Sequence, residues 1–391
     1  MGGWDILTSL AKYRSVLGIL FGFLKDMGSL GNGHVIAKEI FERLNQDLTV
    51  AFDQLALILR DGERYKAFLA HRGASAQQLL DIVQELLDLF PGSAIRPLLY
   101  KALLRLSRAS ELHPACFPLY SLQRVGKQVA AGGFGDIWKG LVRGHNVSVK
   151  IMRAFRDSDI KAILKEFGRE ALIWRQLSHP NLLPFYGLFY VEERLCLISP
   201  WMENGHILEF LKNAPPDTNR VSLILDVALG LEYLHGEHVV HGDLKGMNVL
   251  VTPSGRACIT DFGLSSIADA MTLRFTHSTA TKQGGTARYQ APEVLLGEAN
   301  HFGSDVYAFA CLCYEILTGK VPFWEFSNDI AVSIKVIAGQ RPSWPETTPN
   351  DALWVLVQDC WAQSFDERPA ITQSFKDFWV LRLRRKLFQP Q

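Results

Sequence analysis

An excess of charge of one sign is absent from this 391-residue sequence: 41 Lys and Arg stand against 40 Asp and Glu, a formal net charge of +1. Such a balance supplies no field to attract a phosphate backbone, so no nucleic-acid partner is expected. Long apolar runs are missing too. The stretch Val16 to Leu24 is too short to cross a bilayer, which takes about 20 residues. It is followed by Lys25-Asp26-Met27 and not by a small-residue cleavage site, so it reads as a buried helix and not as a secretory leader. Met1-Gly2-Gly3 opens like a myristoylation signal, but Ile6 stands where Ser or Thr is required. No membrane contact is expected. Cysteine is sparse: Cys116, Cys196, Cys258, Cys311, Cys313 and Cys360 are scattered and form no Cys-x-x-Cys. That excludes a short disulfide framework and predicts reduced thiols in a cytoplasmic protein. Apolar and charged contents are ordinary, and the length suggests two units.

The N-terminal third reads as helix. Ile36, Ile40, Phe41, Leu44, Leu48, Phe52, Leu55 and Leu59 recur at three and four, one face of a long amphipathic helix that Asp61-Gly62 ends. Ser75 with Gln78 reads as a capping box before Leu79, Leu80, Val83, Leu86, Leu87 and Phe90. Pro91-Gly92 stops that helix, and another runs from about Ile95 to Leu106. No strand signal interrupts them. Residues 1–115 are therefore expected to form an all-α helical bundle domain, with His113-Pro114 and Pro118 marking a linker. The polar faces mix both charge signs. An intramolecular regulator or a protein-partner module is expected there, ahead of a membrane-binding bundle.

The chemistry lies further on. Val249-Leu250-Val251 and Ala257-Cys258-Ile259 flank Thr252-Pro253-Ser254-Gly255, a hairpin signal. The hairpin would bring an Asp243-x-x-x-x-Asn248 loop beside Asp261-Phe262-Gly263. Two carboxylates and an amide oxygen at that spacing suit Mg²⁺, which takes carboxylates together with phosphate oxygens. Upstream, Val129-Ala130-Ala131-Gly132-Gly133-Phe134-Gly135-Asp136-Ile137 is a glycine-rich turn whose backbone amides can approach phosphate. Fifteen positions after Gly135 (135 to 150), Val147-Ser148-Val149-Lys150 reads as a strand ending in lysine. Twenty positions after that (150 to 170), Glu170 stands in a helical pattern.

In that order these segments resemble the protein kinase family, nearest to the tyrosine-kinase-like group of Ser/Thr kinases. The wording of SPWMENG, HGDLKG and VTPSGRACITDFGLSS is similar to an expanded kinase set of mushroom-forming fungi. The resemblance covers about residues 121–380. It implies an α+β, bilobal protein kinase fold over 121–385, with a small β-rich lobe at about 121–199, a hinge at 200–203 and a large helical lobe at 204–385.

It also implies roles. Asp243 would accept the substrate hydroxyl proton, with Lys245 beside it in the Asp-Leu-Lys form of Ser/Thr kinases. Lys150, paired with Glu170, would hold the α- and β-phosphates. Asn248 and Asp261 would be the metal ligands. Val129, Ala130, Gly132, Gly133, Phe134, Gly135 and Ile137 would cover ATP. Ser199 would be the gatekeeper, and Pro200 and Met202 would meet the adenine through a carbonyl and an N–H. Trp174, Phe185, His241 and Phe262 would stack as a hydrophobic spine. Arg368 would pair with Glu293 of Ala291-Pro292-Glu293, and Thr286 would lie near the base.

Two positions depart from the family pattern: Ala130 replaces the first loop glycine, and Gly242 replaces the arginine of His-Arg-Asp. The expected activity is ATP- and Mg²⁺-dependent phosphorylation of protein Ser/Thr hydroxyls in signalling. The alternative, from another class, is a pseudokinase-type adaptor that binds nucleotide and transfers nothing.

Overall fold

The computed structural model describes residues 55–90, 92–115, 122–131, 135–152, 170–191, 194–262, 266–267, 286–343 and 351–371. The chain separates into two compact units, Met1–Leu119 with Ser158–Leu172, and Tyr120–Asp157 with Ile173–Gln391.

In the first unit a helical stretch at 55–60 is followed by α1 (Gly62–Ala70), α2 (Gly73–Leu89) and α3 (Arg96–Ser110). Leu79, Leu80, Val83, Leu86 and Leu87 are buried as their spacing requires, against Leu99, Leu103 and Leu106 of α3 among others. Asp61 does more than end a helix. Its Oδ1 accepts from the Arg64 N–H at 2.8 Å, so it starts α1, an element absent from the sequence reading. The capping box at Ser75 and Gln78 does not form. The N-cap is Arg72, which places Ser75 inside the first turn, where its Oγ donates to the Arg72 carbonyl at 3.0 Å. The start of the expected linker is tied down as well: Gln77 donates to the His113 carbonyl, and the Ala115 N–H donates to Asp81 Oδ1. Residues 1–54, Cys116 and Pro118 lie outside the described residues.

The second unit opens with a five-stranded antiparallel sheet in the order β1-β2-β3-β5-β4: β1 Leu122–Ala131, β2 Gly135–Val142, β3 His145–Met152, β4 Gly187–Val191 and β5 Arg194–Pro200. Arg143 and Gly144, both at positive φ, form the two-residue loop that matches the right-handed strand twist between β2 and β3. Val147, Val149 and Ile151 are buried, so Lys150 is placed on the opposite face of β3.

After β5 come α4 (Ile207–Asn213), α5 (Arg220–Gly236) and β6 (Val239–Val240). The expected hairpin is present as β7 (Val249–Val251) paired with β8 (Ala257–Ile259), Leu250 opposite Cys258. Then follow β9 (Ser266–Ile267), α6 (Pro292–Leu295), α7 (Phe302–Thr318), α8 (Asp329–Ile337) and α9 (Asp351–Cys360). The helix α7 is buried from Ser304 to Ile316, the pattern of an element surrounded by protein. Burial pushes the thiols of Cys258, Cys311 and Cys360 up to about 12, so they remain inert neutral side chains.

Candidate active site

The 3-10 turn Gly246–Asn248 and the β7–β8 hairpin bring Asp243, Asn248 and Asp261 to one place. Lys245 Nζ donates to Asp243 Oδ2 at 2.7 Å. The Asn248 amide donates to the Asp243 carbonyl at 2.8 Å and to Asp243 Oδ2 at 3.1 Å. One carboxylate oxygen is thus held by a cation and an amide. The other, Oδ1, is buried and has no hydrogen-bond partner among the described residues. An unpaired buried oxygen of this kind requires an explanation. Burial pushes the Asp243 carboxyl up, and the Lys245 ammonium opposes the shift.

Lys150 Nζ meets Asp261 Oδ1 at 2.8 Å. Burial alone would raise Asp261, but the Lys150 ammonium outweighs it and holds the carboxyl below its ordinary value. Asp261 has φ +67°, a left-handed backbone rarely adopted by residues other than glycine. The resemblance also pairs Lys150 with Glu170. Glu170 is buried at the start of the helical stretch 170–175.

The strand register sets Ile137 opposite Lys150, and Ala130 opposite Ile137. Val129 is exposed on β1, and Gly135 begins β2. Gly132, Gly133 and Phe134 lie outside the described residues, as do Gly263, Thr276, Ser278, Thr279, Thr281 and Lys282. Ser199 is buried on β5 opposite Ser148. Pro200 ends that strand without an N–H, and the Met202 N–H makes no hydrogen bond among the described residues.

Four rings form a column beneath the site. Trp174 lies 5.4 Å from Phe185 and 5.7 Å from Phe262, and Phe262 lies 5.8 Å from His241. Asp305 of α7 anchors the loop above, since its carboxylate accepts from the N–H groups of His241 (2.8 Å) and Gly242 (2.9 Å). The sequence reading gave Asp305 no role in the site. Gly242 has φ +80°, and beside it opens a cavity of about 20 Å³ shared with Asp243, Tyr289, Asn300 and Ser304, room for about one water.

Two further groups secure the segment after Thr286. Arg288 donates to Asp329 and to the carbonyls of Pro322, Phe323 and Phe326. Arg368 grips Glu293 with two hydrogen bonds, at 2.6 and 2.8 Å, as expected. Glu315 was not singled out from sequence. It is buried on α7 and accepts from the Gly246 N–H and the Tyr289 hydroxyl.

A family model for protein tyrosine and serine/threonine kinases matches residues 123–378. The chain belongs to the protein kinase family. Among its relatives are the serine/threonine-protein kinases STY46 and VIK of Arabidopsis thaliana. STY46 is 29% identical over 64% of this chain and 42% of its own length, and VIK is 31% identical over 68% of this chain and 60% of its own. A mimivirus protein, R831, named for a serine/threonine-protein kinase/receptor, is 32% identical over 66% of this chain and 16% of its own length. The chain thus spans less than half the length of the first relatives it matches.

Among the described residues no group of three His, Cys, Asp or Glu is disposed to hold a metal, and no helix is long and apolar enough to cross a membrane. Two carboxylates and an amide do meet here, however. Asn248 has spent its N–H groups on Asp243, which among the described residues leaves its amide oxygen over, and Asp261 likewise has Oδ2 over. That hard oxygen set fits a divalent cation completed by phosphate and water.

Proposed function

We propose that this chain is an ATP- and Mg²⁺-dependent protein serine/threonine kinase. The observation that carries the reading is Asp243: one carboxylate oxygen is fixed by Lys245 and Asn248 while the other is buried and unpaired among the described residues. A base held in this way needs one acceptor atom free for a substrate hydroxyl, and no structural role explains leaving it bare. Lys245, on the same carboxylate, sits where it can stabilise the negative charge that develops during transfer.

Lys150, paired with Glu170, would orient the phosphates. Asn248 and Asp261 would hold Mg²⁺. The strands around Val129, Ala130, Gly132, Gly133, Phe134, Gly135 and Ile137, with Ser199, Pro200 and Met202, would enclose ATP. The bound Mg²⁺–ATP supplies the transferable phosphoryl group and neutralises its charge; the chain's own contribution is positioning and proton acceptance. The relatives' names support Ser/Thr acceptors in a protein substrate. Residues 1–115 are read as an all-α domain that regulates the kinase or binds a protein partner, in a cytoplasmic protein.

The test is a radiolabelled-ATP assay on purified protein with generic acceptor proteins, compared with Asp243→Asn. Wild type should label serine and threonine. The variant should retain nucleotide binding and lose transfer by roughly 10²–10⁴-fold. Equal labelling by both would favour the adaptor reading, and predominant phosphotyrosine would refute the acceptor class.

A further inference from the structure

Asp226 belongs to none of the motifs above. It lies inside α5 with its side chain 1% exposed, yet its carboxylate is committed to the hairpin. Arg256 Nε donates to Asp226 Oδ1 at 3.0 Å and to Oδ2 at 2.8 Å, and Arg256 Nη2 also donates to Oδ1. The Ala257 N–H donates to Oδ2 at 2.9 Å. A buried carboxylate thus grips the first residue of β8 and the residue before it.

The hairpin needs such a grip. Its strands are three residues each, and a two-stranded hairpin is marginally stable at best when isolated. Asn248 directly precedes β7, and Asp261 follows two residues after the end of β8. The spacing of these two oxygen donors is therefore set by whatever fixes the hairpin. On one edge Asn181 donates to the Ala257 carbonyl (2.9 Å), and the Ile259 N–H donates to the Asn181 carbonyl (2.8 Å). These contacts are neutral. The Asp226–Arg256 contact is charged and two-pronged, which fixes direction as well as distance.

We propose that Asp226 and Arg256 are positioning residues for the metal–nucleotide site: a charged clamp that holds Asn248 and Asp261 at the separation a divalent cation requires. The proposal rests on the kinase reading above. Groups that orient metal ligands from behind typically change metal affinity by about 10–100-fold when lost.

The experiment titrates Mg²⁺ into full-length protein and follows the binding of a fluorescent ATP analogue, with the same analogue in EDTA as the metal-free control. Arg256→Ala should raise the Mg²⁺ concentration for half-maximal binding by about tenfold or more and leave metal-free affinity within about twofold. Arg256→Lys, which keeps the charge and loses the fork, should recover part of the loss. Asp226→Asn/Arg256→Gln leaves no uncompensated buried charge; it should fold and still show the shifted Mg²⁺ dependence.

An unchanged Mg²⁺ dependence in the double variant, or metal-free and metal-dependent binding falling in proportion with a lowered Tm, would overturn the clamp and reduce the pair to a structural brace. Wild-type protein whose nucleotide binding ignores Mg²⁺ would instead overturn the kinase reading and the clamp with it.

Discussion

Replacing Arg368 with Met removes a cation whose side chain is fully buried while roughly keeping its volume. Glu293, 7% exposed, would lose both short hydrogen bonds and remain as a buried carboxylate. Three further acceptors, the carbonyls of Ala362, Gly303 and Gln363, would lose their donor. Two routes give the magnitude. Breaking a buried ion pair by removing one partner costs about 3–5 kcal/mol. Independently, burial alone would raise the Glu293 carboxyl, but Arg368 and His301 bring it from an ordinary 4.5 down to about 2, and a difference of that size is worth roughly 3 kcal/mol at neutral pH. The sign follows from the depressed value. The pair stabilises the fold fully above pH 4.5, and this contribution fades as pH falls toward 2. The assay is urea denaturation of wild type and Arg368→Met at pH 7 and pH 5. About 3 kcal/mol should be lost at pH 7. The double variant Arg368→Met/Glu293→Gln should lose less, because no charge is left stranded. A loss under about 1 kcal/mol for the single variant, within the range of exposed pairs, would refute the reasoning.

Asp261→Asn should weaken Mg²⁺–ATP binding, measured by nucleotide titration, because it removes a charged candidate ligand and the partner of Lys150; unchanged affinity would separate Asp261 from the metal. Burial raises the Glu315 carboxyl from 4.5 to about 7, with the Tyr289 hydroxyl and Gly246 N–H opposing. The folded protein keeps this proton where the unfolded chain has lost it, so the stability contribution falls as pH rises from 4.5 to about 7. Glu315→Gln should flatten the Tm profile across that window and be the more stable protein at pH 8; parallel profiles would contradict this. Gly242 offers no cation to a phosphate on the Ser/Thr-rich segment that follows Asp261-Phe262-Gly263 (Ser265 to Thr281), and Arg288 beyond that segment is already committed to Asp329 and three carbonyls. Phosphatase treatment should therefore lower the initial rate on an outside substrate by less than about tenfold, about 1.4 kcal/mol of barrier. A larger loss, restored by rephosphorylating Thr276, Ser278, Thr279 or Thr281, would contradict the assignment.

The hairpin and the strand of Lys150 were legible because β-rich runs and turn chemistry are local: Val249, Val251, Ala257, Cys258 and Ile259 are all buried on either side of the Pro/Gly turn. Arg368 and Glu293, and the ring column at Trp174, were reached through the resemblance to protein kinases. Helix starts were not legible. Asp61 and Ser75 are both good N-cap residues, and only the backbone decides which of them caps: Asp61 lies in the extended region, whereas Ser75 is already helical. The left-handed backbone at Asp261 is equally hidden. Aspartate tolerates that conformation without requiring it, so nothing in Asp-Phe-Gly announces φ +67°.

The acidic residues show where sequence reading stops. Asp226, Asp305 and Glu315 are as buried as Asp243, and the motif spacing that singles out Asp243 says nothing of what the other three do. Their partners do. Asp305 is saturated by two backbone N–H groups and His235, and it fixes the loop. Asp226 is saturated by Arg256 and a backbone N–H, and it fixes the hairpin. Glu315 faces only neutral donors among its hydrogen bonds and is driven toward its protonated form. Among the described residues, Asp243 alone of the four keeps a buried oxygen without a partner. A carboxylate that is fully paired can hold a position but has no acceptor left for a substrate proton. The incomplete satisfaction of Asp243, held by its charged and saturated neighbours, is what makes it the candidate base.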